Sequence, residues 1–184
     1  MVSMAKVTIQ GMENVKSSIK KTFDNIKGNE RMLLEIGEKT VELTKAFNRA
    51  GKSPNGNRHP SNSNRWEERK MELTKHNNPS EFYRPYLSNV TFTGQLLESI
   101  KLIKINRFEG SVIIDATGKH DPYKDMDGKP MKRKKELTNK KLVEYLKDLG
   151  RNIFGINKQM ENVINKIVRK YVNLEIKKIF NKSR

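Results

Sequence analysis

The nine residues from Phe92 to Ile100, FTGQLLESI, constrain the fold of this chain most. Thr93 and Gly94 can cap and kink the chain, because Gly adopts backbone conformations that other residues avoid and a Thr hydroxyl can accept a backbone N–H. One helical turn from Gln95 to Ser99 should follow and lead directly into a strand. The segment therefore predicts a joint between a helical turn and a strand, and it resembles no catalytic motif.

Two β-rich runs follow this joint. The residues from Ser99 to Ile105 and from Ser111 to Ala116 are rich in Ile, Leu and Val, and the polar turn 106–110 separates them. Such a pair predicts an antiparallel hairpin. The residues from Lys6 to Gln10 predict a further short strand.

Apolar residues at helical spacing predict four longer helices. We expect these helices at residues 12–26, 30–50, 138–149 and 157–180. Thr138 is the predicted N-cap of the third helix. The second helix should pack through an apolar face formed by Leu33, Ile36, Val41, Leu43 and Phe47. The predicted fold class is therefore α+β, with long helices packed on a small, mainly antiparallel sheet.

A length of 184 residues suits one domain. Its predicted parts are the N-terminal helices (10–50), an extended loop with the joint (51–98), the hairpin (99–117), a basic polar insertion (118–137) and the C-terminal helices (138–180).

The polar stretch from Gly51 to Ser80 is rich in turn residues, and about thirty residues without an evident core is long for a compact domain. We expect this loop to be poorly ordered in an isolated subunit and ordered in an assembly. Trp66 lies inside it. A Trp in a polar loop either anchors the loop to the core or serves as an interface contact, so Trp66 is a candidate interaction residue.

The formal net charge is +17, and residues 132–184 contribute +11 of it, with 16 basic and 5 acidic residues. Such a charge attracts polyanions, although solvated helix faces of a Lys-rich protein would look the same. The run of Lys132, Arg133, Lys134 and Lys135 is a candidate for phosphate contacts that read no sequence. No known DNA-reading motif is visible, so a sequence-specific DNA reader is not expected.

The residue inventory argues against an enzyme. Cysteine is absent, which excludes a disulfide framework, a thiol nucleophile and a Cys-based zinc site. His120, Asp121, Asp125 and Asp127 cluster, but an EF-hand loop would need further ligands at set positions. The string Gly51-Lys-Ser53 lacks the strand-to-helix context of a phosphate-binding loop, and no GxSxG motif is present. We therefore expect no catalytic residues, no metal, no cofactor and no small-molecule substrate.

No apolar run in the sequence approaches the roughly 20 residues that span a bilayer, and the first residues lack the apolar core of a signal peptide. We expect a protein made in the cytoplasm with no membrane partner.

Three motifs in order resemble the tail-completion or neck proteins of tailed bacteriophages, the family of virion-morphogenesis and head–tail joining proteins. The first is a G-x-x-P-x-G…W loop, here Gly51 to Trp66. The second is a TGxLxxSI junction, here Thr93 to Ile100. The third is a GR-x-hydrophobic-F-G segment before the last helix, here Gly150 to Gly155. The resemblance spans roughly residues 10–180, whereas the basic stretch 117–135 differs from the family pattern.

This resemblance implies a non-enzymatic structural protein of the virion, assembled in the host cytoplasm. Such a protein forms a homo-oligomeric ring, a hexamer or a dodecamer, around the DNA channel between capsid and tail. Its partners would be further copies of itself, portal or adaptor proteins, tail-tube or tail-terminator proteins, and packaged DNA by proximity and charge. Thr93, Gly94 and Gln95 are candidate interaction residues. The subclass (tail terminator, connector or neck protein) stays open. The alternative, from the charge alone, is a small basic protein that binds nucleic acid non-specifically.

Overall fold

A computed structural model describes residues 12–61, 63–65, 68, 94–122, 129–130, 132 and 136–182. In this part of the chain, helices pack on a two-stranded antiparallel sheet, which confirms the α+β class. In chain order the elements are α1 Met12–Lys27, α2 Glu30–Arg49, α3 Gln95–Glu98, β1 Ile100–Asn106, β2 Ser111–Ala116, α4 Asn139–Asp148 and α5 Lys158–Lys182.

Gly28 and Asn29 separate the two N-terminal helices, as their sequence predicts. The Gly28 N–H closes α1 on the Asp24 carbonyl at 2.9 Å. Asn29 then begins α2, because its side-chain Oδ1 accepts the Met32 N–H at 3.0 Å. This N-cap satisfies one of the backbone donors that every helix start leaves without an intrahelical partner.

The strands β1 and β2 pair from Ile100 with Ala116 to Asn106 with Ser111, with a register irregularity around Ile103. Helix α2 lies across this hairpin. Gly37 allows the close approach, because a Cβ at this position would lie only 2.7 Å from Cδ1 of Leu102. The small sheet is therefore covered on one side by a helix at short distance.

Two apolar clusters hold the elements together. The first joins α3, the hairpin, α4 and the segment after it through Leu96, Leu97, Ile100, Ala116, Leu146 and Ile153. The second joins α2 and α5 through Met32, Leu33 and Ile167, with Ile105 and Val112 of the hairpin packed against them. Burial of these side chains supplies the main favourable free energy of folding.

The C-terminal helices begin where the sequence predicts. The Thr138 hydroxyl accepts the Lys141 N–H at 3.2 Å, which confirms this residue as the N-cap of α4. Asn157 plays the same part for α5, since its Oδ1 accepts the Met160 N–H at 3.0 Å.

The start of the polar loop differs from the prediction. Ser53, Pro54 and His59 are buried, and the His59 N–H donates to the Gly51 carbonyl at 3.0 Å. The expectation of an extended loop without a core is therefore wrong for residues 51–60. The physical reason is that these residues form a tight turn that closes on the end of α2 and covers its last buried side chain, Asn48.

Several sequence predictions lie outside the described residues. These are the strand 6–10, the whole loop after residue 68 up to residue 93, and the candidate interaction residues Trp66, Thr93, Arg133, Lys134 and Lys135.

Candidate assembly joint and surfaces

A buried hydrogen-bond cluster connects the end of α2 to two distant segments. Asn48, whose side chain is completely buried, donates from Nδ2 to the Ile153 carbonyl at 2.9 Å and to the Thr44 carbonyl at 2.8 Å. Its Oδ1 lies 2.9 Å from Nε2 of His59. We call Asn48, His59 and Ile153 the Asn48 lock. It ties the turn 51–60 and the Gly150–Gly155 segment to the same helix end.

The lock also determines which ring nitrogen of His59 carries a proton. Because both Asn48 amide hydrogens point at carbonyls, its Oδ1 must face His59, and Nε2 of His59 must therefore carry a proton. Burial, with the nearby positive charge of Arg151 as a second cause, lowers the pKa of His59 to about 4. The imidazole is thus neutral at physiological pH, and the hydrogen bond to Asn48 selects the tautomer with the proton on Nε2.

Further contacts press the same two segments together. Arg151 donates from its guanidinium to the Ser61 carbonyl at 3.2 Å. A Cβ at Gly155 would lie 3.2 Å from the backbone nitrogen of Asn55, which leaves little room for a larger residue there. The described parts of the first and third motifs, far apart in the sequence, are therefore in direct contact.

The second motif packs on this pair through its apolar residues. Leu96, Leu97 and Ile100 are buried in the same cluster as Ile153 of the third motif. Gly94 is the N-cap of α3 and has φ of 82°, a left-handed conformation that favours glycine. The structure thus brings the described residues of all three motifs to one place, which we call the joint.

Polar side chains hold the outer side of α3. Gln95 makes two hydrogen bonds with Asp121, from its Nε2 to Oδ2 at 2.7 Å and from the Asp121 N–H to its Oε1 at 3.1 Å. Glu98 forms an ion pair with Arg49 of α2 at 2.6 Å. Gln95, predicted as an interaction residue, therefore has a partner within its own chain and is only half-buried.

Sequence reasoning missed the buried polar groups of the joint. No pattern indicates a role for Asn48 or His59, nor for Asn139, whose buried amide donates to the Thr117 carbonyl at 2.7 Å. A signal was present in α2. The small or polar residues Gly37, Thr40, Thr44 and Asn48 recur at helical spacing after the buried Leu33, and all of them are buried.

The hairpin presents apolar side chains on the side away from the joint. Ile103 and Ile113 are each about half exposed, and Phe108 at the tip is 94% exposed. Ile113 pairs with Lys104, the residue next to Ile103, so the two isoleucines lie near each other on adjacent strands. We call Ile103, Phe108 and Ile113 the hairpin outer face.

A second apolar surface lies between α1 and α5. A groove of about 780 Å³ is lined by ten residues, of which only Thr22 and Lys27 are polar. Phe23 lines it and is 67% exposed. Exposed apolar surface of this kind marks interaction sites in soluble proteins.

The structure describes the remaining candidate residues only in part. Lys132 is exposed. His120 is buried and its Nδ1 lies 3.0 Å from the Asp121 carbonyl, while Asp125 and Asp127 lie outside the described residues. No group of three metal-ligating side chains is found among the residues that the structure describes. Within the same residues, no helix combines the length and apolar character that crossing a bilayer requires.

No family model, curated protein or solved structure matches this chain. The geometry and the motifs are therefore the only basis for a functional proposal.

Proposed function

We propose that this chain is a structural subunit of a tailed-phage virion. In this proposal, copies of it form a ring in the neck or at the top of the tail, join capsid or portal to tail, and surround the DNA channel. The motif order suggests this role. The meeting of the motif residues at the joint supports it. Motifs whose residues pack against each other in one fold are expected to occur together in the sequences that share this fold.

The observation that carries the proposal is the hairpin outer face. A two-stranded sheet is marginally stable alone, and among the described residues α2 is the helix that packs across both strands of this one. The exposed side carries Ile103 and Ile113, and the tip carries the almost fully exposed Phe108. A face of this kind that meets a different surface of the next copy makes a heterologous contact, and repeated heterologous contacts form a ring when the rotation between neighbouring copies closes.

The test is the mass distribution of the purified protein, by native mass spectrometry or mass photometry, alone and with added portal or tail proteins. We expect rings in at least one of these conditions. The triple variant Ile103→Thr/Phe108→Ser/Ile113→Thr should lose the rings and keep its thermal stability, since all three side chains are about half exposed or more and Thr suits a strand.

The matched control removes two exposed apolar side chains elsewhere. Tyr145→Gln/Leu149→Gln at the end of α4 should leave the rings intact. Rings that survive the triple variant, or a wild-type protein that stays monomeric in every condition, would contradict the proposal. Gene order gives an independent check, because a gene between those for capsid and major tail proteins is expected.

A second candidate function is non-specific binding of nucleic acid, favoured by the exposed lysines of α4. Lys140, Lys141 and Lys147 are all exposed on this one helix. A monomer whose affinity for duplex DNA falls steeply with salt would support this candidate instead of the ring. Replacement of the three lysines by Gln should then reduce both the affinity and the salt dependence.

A further inference from the structure

The groove between α1 and α5 has the dimensions of a site for a short helix. On α5 its lining runs from Val168 to Ile179, which is about 16 Å at the helical rise of 1.5 Å per residue. This length corresponds to three turns of a second helix. An amphipathic helix that buries side chains at i, i+4, i+7 and i+11 would fill a cleft of that length.

The lining is apolar and accessible. Ile19 and Phe23 of α1, and Ile176 and Ile179 of α5, are each more than two-fifths exposed. Water against these side chains is unfavourable by roughly 25 cal/mol for each Å² of apolar surface. Burial of this apolar surface therefore stabilises a complex most when the occupant is itself apolar on one side.

The charges beside the groove select the kind of occupant. Lys27 lines it, Lys20 lies two turns before Lys27 on the same side of α1, and Arg169 lies two turns before Ile176 on α5. None of these three cations has an ion pair within the described part of the chain. The acidic Glu175 is already engaged by Lys178 at 2.5 Å. Asp24 is also exposed on α1, so three cations stand against one carboxylate here and the edges of the groove are net basic.

A second copy of this chain fits these edges poorly. Two grooves that face each other would bring the same basic edges together, and like charges in direct opposition across a contact repel each other. We propose that the α1–α5 groove binds an amphipathic helix with acidic flanks that belongs to a different protein. This inference goes beyond the ring, because the ring contact is assigned to the hairpin outer face and the groove is a separate surface.

The test uses a designed peptide as the probe. A fluorescein-labelled helical peptide with a leucine stripe and glutamate flanks is titrated with the full chain, and fluorescence anisotropy is followed at about 150 mM salt. The double variant Phe23→Ser/Ile176→Ser should bind at least about tenfold more weakly, as expected for truncated anchor residues. Phe23 is 67% exposed and Ile176 is 41% exposed, so the variant should keep its fold, which circular dichroism and thermal unfolding check.

The control is Tyr145→Ser, which removes an exposed aromatic side chain of α4, a helix that contributes no residue to the groove lining. It should leave the peptide affinity unchanged, and a twin peptide with lysine flanks should not bind. Equal peptide affinity of wild type and Phe23→Ser/Ile176→Ser would show attraction by overall charge only and would overturn the proposal.

Other occupants give other results, each of which would also overturn it. If a second copy fills the groove, Phe23→Ser/Ile176→Ser lowers the oligomer mass without any peptide. If an anionic membrane does, the same variant loses co-sedimentation with phosphatidylglycerol vesicles while neither peptide binds. If residues 1–11 of the same chain do, the glutamate-flanked peptide does not bind the full chain and binds only the variant Val7→Ser/Ile9→Ser. Of these results, only the lowered oligomer mass bears on the rings, and the hairpin variants test the ring contact separately.

Discussion

Replacement of Asn48 by alanine tests whether the joint depends on its buried hydrogen bonds. Asn48 is completely buried and connects α2 to His59 and to the Ile153 carbonyl, 105 residues away in the sequence. Alanine keeps the helix and removes only the amide. The change therefore deprives two buried polar groups of their partner while the backbone of α2 stays in place.

The magnitude follows from what the amide leaves behind. The N–H of His59 and the carbonyl of Ile153 would each become buried groups without this partner, at a cost of about 1–3 kcal/mol each. The Thr44 carbonyl loses little, because it lies within the helix and accepts a backbone bond there. Alanine regains about 0.5 kcal/mol of helix propensity. We expect a loss of about 2–5 kcal/mol in the free energy of unfolding, a large part of the roughly 5–15 kcal/mol of a typical domain.

The measurement is urea unfolding followed by circular dichroism. Asn57→Ala serves as the control, because Asn57 is an exposed residue of the same turn and its change should stay within about 0.5 kcal/mol. A double-mutant cycle with His59→Ala should show coupling, because the two side chains share one hydrogen bond. A loss below about 1 kcal/mol for Asn48→Ala, with an unchanged slope against urea, would refute the assignment of the lock.

Two further predictions concern the same joint. The pKa of His59 is lowered to about 4 in the folded state, so the unfolded chain binds a proton first as the pH falls from 6.5 towards 4. The free energy of unfolding should therefore drop in this window, by at most about 3 kcal/mol. His59→Gln should remove this part of the pH dependence in urea titrations. Gly94→Ala should cost about 1–2 kcal/mol in the same assay, because φ of 82° is strained for any residue with a Cβ, and a loss near zero would show that the turn relaxes without cost.

The sequence predicted the elements well because helical spacing and capping act locally. Thr138 caps α4 through a bond to Lys141, three residues away, and the strand from Ser111 to Ala116 lies where its β-branched residues indicated. The predicted apolar face of α2 was only partly correct. Leu33 is buried, but Phe47 is only half-buried, while Asn48 beside it is completely buried.

The reason is that a hydrophobicity pattern assigns Thr and Asn to the surface, whereas their burial depends on distant partners. Asn48 is stable inside the protein only because the Ile153 carbonyl and His59 are there to bind it. Neither partner can be inferred from the residues around Asn48. The same limit applies to Gly37, whose closeness to Leu102 is set by how α2 lies on the hairpin.

Substitutions at the buried motif residues test the stability of the fold, whereas substitutions at exposed residues test function. Leu97 and Ile153 lie in the first apolar cluster, so substitutions there should lower stability and, through it, every activity of the chain. Such variants cannot distinguish a ring subunit from a nucleic-acid-binding protein, since both would fail to fold. Phe108 and Phe23 contribute little to the fold because most of each side chain is exposed. If the motifs serve to hold the joint rigid, then function lies on the surfaces that the joint positions, and substitutions at these two phenylalanines should separate ring assembly from partner binding.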